Sequence, residues 1–339
     1  MKIISIQRIS VLAICSVVFW SCNSCGKKGK AVSLRLDGYR NSITGARFAG
    51  EVIGRKDFAR KWGLDLKLEP SGDKTPDPVT AVTSGLNDFG IIAADKFLEA
   101  NEKGADLVAV GVVNELTPTR FVSLGRTKIR TPQDWIGKRI GVIPGDPSEN
   151  VYRSLLKKEG LSPTQFTEVV LPPGDYVYAM YALQVGEYDV YPATIFFELE
   201  NLQYLYDSHR TIKPLDYDVV YVGRIYFARR EFVRSNPETV QAFVNTMADG
   251  WKWALYDCKR GADRLKEFTP NTFDSEICIS LGVGYGNPLD SVPWVLQFNY
   301  PDWDETVAGL IAIGAIKNPE YRHYIDDSFI TNYSAIPSE

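Results

Sequence analysis

Side chains able to do acid–base, nucleophilic or metal chemistry are few in this sequence. Only two histidines occur, His209 in Asp207-Ser208-His209-Arg210 and His323 in Tyr321-Arg322-His323-Tyr324. Neither has a second ligand type at zinc spacing, so no metal site is expected. A Ser-His-Asp or Cys-His arrangement lacks a suitable histidine, and no Gly-x-Ser-x-Gly occurs. Carboxylate pairs such as Asp302 with Asp304, or Glu198 with Glu200, are too common to mark glycosidase chemistry. What remains is binding chemistry, gathered at turns that follow strands. Arg40-Asn41-Ser42-Ile43-Thr44-Gly45, preceded by Tyr39, offers amide, hydroxyl and backbone N–H groups. Pro144-Gly145-Asp146-Pro147-Ser148-Glu149-Asn150 leads into a helix whose free N–H groups suit an acidic or polar ligand group. Capping of that helix by Asp146 or Ser148 is the alternative role, and the two are compatible. The Gly-Lys-Ser/Thr ending of a P-loop is absent. Tyr39, Tyr176, Tyr191, Phe196 and Phe197 fall at or beside the turns, where rings stack on flat ligands, although each alone also fits core packing. The sequence reads as a binder without cofactor or metal, and as no enzyme.

The elements that must position these turns alternate. Ser33–Asp37 reads as a strand, and a helix follows near 46–62 with Gly63 as its stop. Leu64–Leu68 is the next strand, Asp77-Pro78 opens a short helix ending near Gly85, and Asp88–Ala93 is a buried strand. Asp95–Lys103 is a helix and Asp106–Val113 a strand. A second run begins near Thr131, with strands at Lys138–Ile143, Glu168–Leu171 and Tyr188–Tyr191 and helices at Pro147–Gly160 and Tyr176–Val185. A strand from Val219 to Phe227 leads into helices at 237–256, 259–268, 273–283 and 302–315. The βαβα order predicts parallel sheets covered by helices, with ligands beyond the carboxyl ends of strands. The chain of 339 residues, 45% hydrophobic and 24% charged, is long enough for two domains of ordinary globular composition. Its net charge of −4 gives no support to nucleic-acid binding.

The first 22 residues read as an export signal: Lys2 and Arg8, then an apolar run from Ile9 to Trp20 too short to span a bilayer comfortably. Ser21 precedes Cys22, which suggests lipidation of that cysteine, with Cys25 as a second candidate. A plain cleaved signal and a retained anchor are the alternatives. Residues 23–30 suit a flexible tether. Export permits disulfides, and only Cys258 and Cys278 lie in the body, where their Cα separation is open.

The order of segments resembles the periplasmic substrate-binding proteins of ABC importers, in the branch that shares its fold with sulfonate-binding proteins and thiamine-pyrimidine synthases. The start at 34–63, Asp77-Pro78-Val79 with Ser84-Gly85 and Asp88-Phe89-Gly90, and Ala94-Asp95-Lys96 carry it in the first half. Gly137–Val142 running into Pro144-Gly145, Asp189-Val190-Tyr191-Pro192 with Glu198, and Gly314-Ala315-Ile316-Lys317 with Asp326–Phe329 complete it. The resemblance implies an α/β, two-lobe periplasmic-binding-protein type II fold, each lobe a mostly parallel sheet flanked by helices. It places one lobe at 31–127 with 222–335 and the other at 128–221, joined by two hinge strands. Ligand-facing positions map to Asn41, Ser42 and Thr44, to Asp95, to Gly145, Asp146, Ser148 and Glu149, and to Glu198, with Tyr39 and Tyr191 as stacking rings. The implied function is an exported solute receptor, periplasmic or at the cell surface, lipid-anchored, monomeric and partnered by an ABC permease. The expected ligand is a flat heterocycle, a thiamine-type pyrimidine precursor or a flavin-like ring. Sulfonates rank lower because Asp95 and Glu198 would repel them. A synthase is the first alternative, but Ile43 stands where those enzymes carry a histidine, and Val222-Gly223-Arg224 lacks their cysteines. A surface lipoprotein with a vestigial cleft that binds a macromolecule is the other alternative.

Overall fold

The computed structural model describes residues 29–37, 45–72, 74–172, 176–194, 208–256 and 295–333. Two five-stranded sheets organise them. The first contains β1 (Lys30–Leu36), β2 (Leu64–Pro70), β3 (Phe89–Ala93), β4 (Leu107–Val112) and β10 (Arg224–Arg229), in the order β2-β1-β3-β10-β4. The second contains β5 (Thr119–Leu124), β6 (Arg139–Val142), β7 (Thr167–Val170), β8 (Val190–Thr194) and β9 (His209–Ile212), in the order β7-β6-β8-β5-β9. In each sheet one strand runs against the rest. β10 is antiparallel to β3 and β4, and β5 is antiparallel to β8 and β9. Each of these is the first strand after the chain crosses from the other sheet. The α/β two-lobe architecture with mostly parallel sheets is therefore present.

Strand 119–124 pairs with the second sheet, so the first crossing falls at 113–118, ahead of the 127/128 boundary expected from sequence. The return crossing is 213–223. The two crossings are bonded to each other: Val113 N–H donates to Arg224 O at 2.7 Å, Thr117 N–H to Tyr221 O at 2.7 Å and Gly223 N–H to Asn114 O at 3.0 Å.

The helices are α1 (Ala49–Ile53), α2 (Pro78–Thr83), α3 (Ala94–Glu102), α4 (Pro147–Lys158), α5 (Tyr176–Val185), α6 (Arg230–Ser235), α7 (Pro237–Tyr256), α8 (Tyr300–Ile313) and α9 (Ser328–Thr331). The helix expected over 46–62 is broken: a 3-10 turn at 45–48 precedes α1, and a π turn at 54–58 follows it. Close packing explains the choice of residues there. A Cβ on Gly50 would meet the Trp251 ring at 2.3 Å, and one on Gly250 would meet Gly50 O at 2.1 Å, so α1 and α7 touch backbone to backbone.

One apolar cluster lies between the first sheet and α7, around Phe89, Phe243 and Trp251. A small one lies on the second sheet around Tyr188 and Tyr191. The third is shared. It joins Phe121, Trp135, Tyr152 and Leu155 of the second lobe to Phe97, Leu98, Trp303 and Leu310 of the first. Burial of large rings on this scale contributes about 1.5–3 kcal/mol per side chain.

Candidate functional site

The carboxyl ends of β1, β3, β6 and β8 converge on one cavity of about 810 Å³ between the sheets, lined among others by Asp37, Ala93, Gly145 and Thr194. That is where an open α/β sheet exposes backbone groups and helix starts to a ligand.

On the first-lobe wall two guanidiniums share one carboxylate. Arg47 Nη2 donates to Asp37 Oδ2 at 2.5 Å, and Arg224 Nη1 donates to Asp37 Oδ1 at 3.4 Å. Arg224 is 3% exposed and further donates from Nε to Asn114 Oδ1 at 2.9 Å and from Nη2 to Arg47 O at 2.6 Å. Both guanidiniums lie over the buried Phe48 ring, 5.4 and 5.2 Å from its centroid. The group places two guanidiniums beside Asp37 on the cavity wall. Planar guanidiniums held this way suit bidentate recognition of an acid group.

Asp95 and Glu99 extend from α3 into the same cavity. Asn150 Nδ2, on α4 of the other lobe, donates to Asp95 Oδ2 at 2.8 Å and to Glu99 Oε1 at 2.5 Å. Lys96 Nζ donates to Glu99 Oε1 at 3.1 Å. Asp95 is 2% exposed, and burial pushes its carboxyl up to about 6 despite Lys96 and Asn150.

The 144–150 turn takes the capping role. Asp146 Oδ1 accepts from Ser148 N–H at 2.8 Å and from the Ser148 hydroxyl at 2.6 Å. Glu149 Oε2 accepts from Gly145 N–H at 2.8 Å, and Glu149 pairs with Arg153 at 3.3 Å. Gly145 and Asp146 line the cavity; Ser148 is buried beneath it and Glu149 does not line it. Both side chains serve to shape the turn. Gly145 adopts φ +78 with nothing within 4 Å of a Cβ, so its Cα faces open space. Tyr191 is placed in the core. It is fully buried against Tyr188 in the second-lobe core, because strand alternation turns Thr194 and not Tyr191 to the cavity. Tyr39, Asn41, Ser42, Thr44, Glu198 and the lipidation candidate Cys22 lie outside the described residues, as do Phe196, Phe197, Cys258 and Cys278. Among the described residues, no group of three or more His, Cys, Asp or Glu could hold a metal ion.

The family model described as NMT1/THI5-like matches residues 49–260, more than half of the sequence and most of both sheets. The chain belongs to the NMT1/THI5-like family. A curated relative, the 4-amino-5-hydroxymethyl-2-methylpyrimidine phosphate synthase of Legionella pneumophila, is 30% identical over 106 residues, 31% of this chain. The match spans about a third of that relative, 33% of its length. Among solved structures, the periplasmic sulfonate-binding protein SsuA of Methylobacillus flagellatus superposes with a TM-score of 0.66 at 19% identity, over 90% of this chain and 94% of its own. The desulfurization enzyme DszB superposes with a TM-score of 0.63 at 14% identity, over 89% and 98%. At these identities the likeness is one of fold.

In this NMT1/THI5-like chain, sequence reasoning missed Asp37, Arg47, Asn150, Tyr221 and Arg224. Arg224 carried a usable signal. It stands inside the apolar run Val222-Gly223-Arg224-Ile225-Tyr226-Phe227, and a charge there must be paired to be buried. Arg47 carried no such signal, since its partner Asp37 is ten residues away in the sequence.

Proposed function

We propose that the chain is an exported solute receptor of an ABC importer whose cleft takes a small organic anion. The observation that carries this reading is the pair of guanidiniums, Arg47 and Arg224, sharing the single carboxylate of Asp37 on the cavity wall. An acid group entering the cleft meets two guanidiniums already held in place, so little reorganisation opposes binding. Asp95 is engaged by Asn150, and burial raises the proton affinity of its carboxyl. The volume of about 810 Å³ suits a drug-sized solute. The name of the M. flagellatus neighbour, a sulfonate-binding protein, agrees with this class.

The receptor reading includes an N-terminal signal with lipidation at Cys22, a permease as partner and action as a monomer at the outer face of a membrane. Ligand would select the closed arrangement of lobes that a permease recognises. The absence of a histidine in the turn carrying Ile43 supports binding over synthesis.

A second reading is favoured by the L. pneumophila match: the anion is the phosphate ester of a hydroxymethylpyrimidine, bound and not made. It unites the heterocycle expected from sequence with the charged wall. Thermal unfolding against alkanesulfonates, hydroxymethylpyrimidine, its phosphate, thiamine and riboflavin tests both. A ligand at about 100 times its dissociation constant stabilises by about 2.7 kcal/mol, enough to raise the midpoint by degrees. A shift with sulfonates alone supports the first class, and one with the pyrimidine phosphate supports the second. A shift with uncharged ligands only would sink the anion reading, and a flat panel would count against both classes.

A further inference from the structure

The cavity does not stop at the charged wall. Arg224 pairs in register with Ala93, and the Ala94 N–H donates to Gly223 O at 2.8 Å, so α3 starts beside the strand that carries Arg224. From Ile92 and Ala93 the lining continues along α3 through Lys96, Ala100 and Lys103 to Gly104 and Ala105. Val79 and Thr83 of α2 line it as well. Residues three or four apart share a helix face, so one face of each helix borders this stretch. We propose that the groove between α2 and α3 is a second, apolar subsite of the cavity, and that the solute is an organic anion carrying an apolar chain. The acid group lies at Arg47 and Arg224, and the chain passes over Ala93 into the groove. The inference deepens the receptor reading and rests on its acid-group site.

The groove is apolar where a ligand would touch it. Val79, Ile92, Ala100 and Ala105 are partly buried and packed against the apolar cluster shared by the lobes, and all four line the cavity. Their remaining exposed surface is apolar area for a chain to cover. The polar groups along the groove are already engaged. The Thr83 hydroxyl donates to Val79 O at 2.8 Å, and Asp77 accepts from Thr80 N–H at 3.0 Å. Lys96 Nζ donates to Glu99 Oε1 at 3.1 Å. A polar solute group placed here would lose water without gaining a partner, whereas an apolar chain has no hydrogen bond to lose. The nine residues of α3 rise about 13 Å, so the groove takes a chain and not merely a methyl group. Lys103 stands exposed at its far end.

Titration calorimetry with ethane-, hexane- and decanesulfonate, and with ethyl, hexyl and decyl phosphate, tests the groove. In the wild type, affinity is expected to climb with chain length in whichever series binds, by about fourfold for each methylene covered. Ala100→Phe fills the groove from α3, and Val79→Asp sets a charge in it from α2. Each is expected to bring the ratio of decyl to ethyl affinity down towards one, with circular dichroism verifying the fold; should one variant not fold, the other decides. A wild type that binds short and long anions equally overturns the proposal and leaves the acid-group site standing. A ratio that survives in the folded variants also overturns it, because the chain then lies elsewhere in the cleft. Binding by none of these anions removes the anion receptor and the groove together.

Discussion

Asp37 is the residue on which the anion reading turns. Its carboxylate occupies, between Arg47 and Arg224, the place a solute acid group would compete for. Arg47→Met is expected to weaken binding of an organic anion at least tenfold while leaving an uncharged ligand unaffected, as titration calorimetry would read. Arg224→Leu belongs to a different class. Its guanidinium is buried with three partners, so its loss leaves Asn114 Oδ1 and Arg47 O without this donor and costs about 1–3 kcal/mol of stability. Behind that wall Glu51 is fully buried; Oε1 accepts from the Tyr226 hydroxyl at 2.5 Å while Oε2 has no partner among the described residues. Burial pushes its carboxyl up to about 7, against about 4.5 in the unfolded chain. The folded state therefore gains from the protonated form, a gain complete below about 4.5 and lost as pH rises through 7. Glu51→Gln is expected to match the wild type at pH 5 and to exceed it at pH 8.5, by on the order of 2–3 kcal/mol in urea unfolding. None of these four charges was singled out from the sequence. Asp95 was, because it follows a strand end, but its partner on another lobe is a tertiary fact that no local pattern encodes.

Elements with their own punctuation were legible. Asp77 caps α2 through Thr80 N–H at 3.0 Å, ahead of Pro78, and α7 spans Pro237–Tyr256 as its apolar spacing implies. Strands β5 and β9 were not singled out. β5 is six residues and β9 four, and β9 buries only Ile212, so neither shows a period long enough to read. The broken segment from Gly45 to Phe58 was misread as one helix because its apolar spacing is helical while its packing is not. Glycine contact with α7 sets that packing. Gly250→Ala places a methyl where Gly50 O already lies, at 2.1 Å, so the helices must separate. Overpacking of this kind costs about 1–3 kcal/mol, and a lower thermal midpoint without loss of helical ellipticity is the expected result.

The whole molecule couples its lobes through the shared apolar cluster as well as through the two crossings. Trp303 of α8 stacks on Tyr321 at 5.8 Å and belongs to the same cluster as Tyr152 of α4. Calorimetry is therefore expected to show one cooperative transition, with calorimetric and van't Hoff enthalpies in agreement; two resolved peaks would show the lobes to be energetically separate. The two-lobe plan was legible from alternating elements and their order, whereas the crossing point was not, since strand 119–124 leaves no mark of the sheet it joins. Its placement has a consequence for biosynthesis. All five strands of the second sheet are contiguous in the chain, from Thr119 to Ile212, whereas β4 of the first sheet pairs with β10, which starts at Arg224, and is bridged by Leu296 and Ile325 further on. A nascent chain that has emerged as far as Ile212 holds every strand of the later lobe and leaves β4 without a neighbour. The host sheet thus waits for the strand that brings Arg224 to the cleft, and for the segments at Leu296 and Ile325 after it.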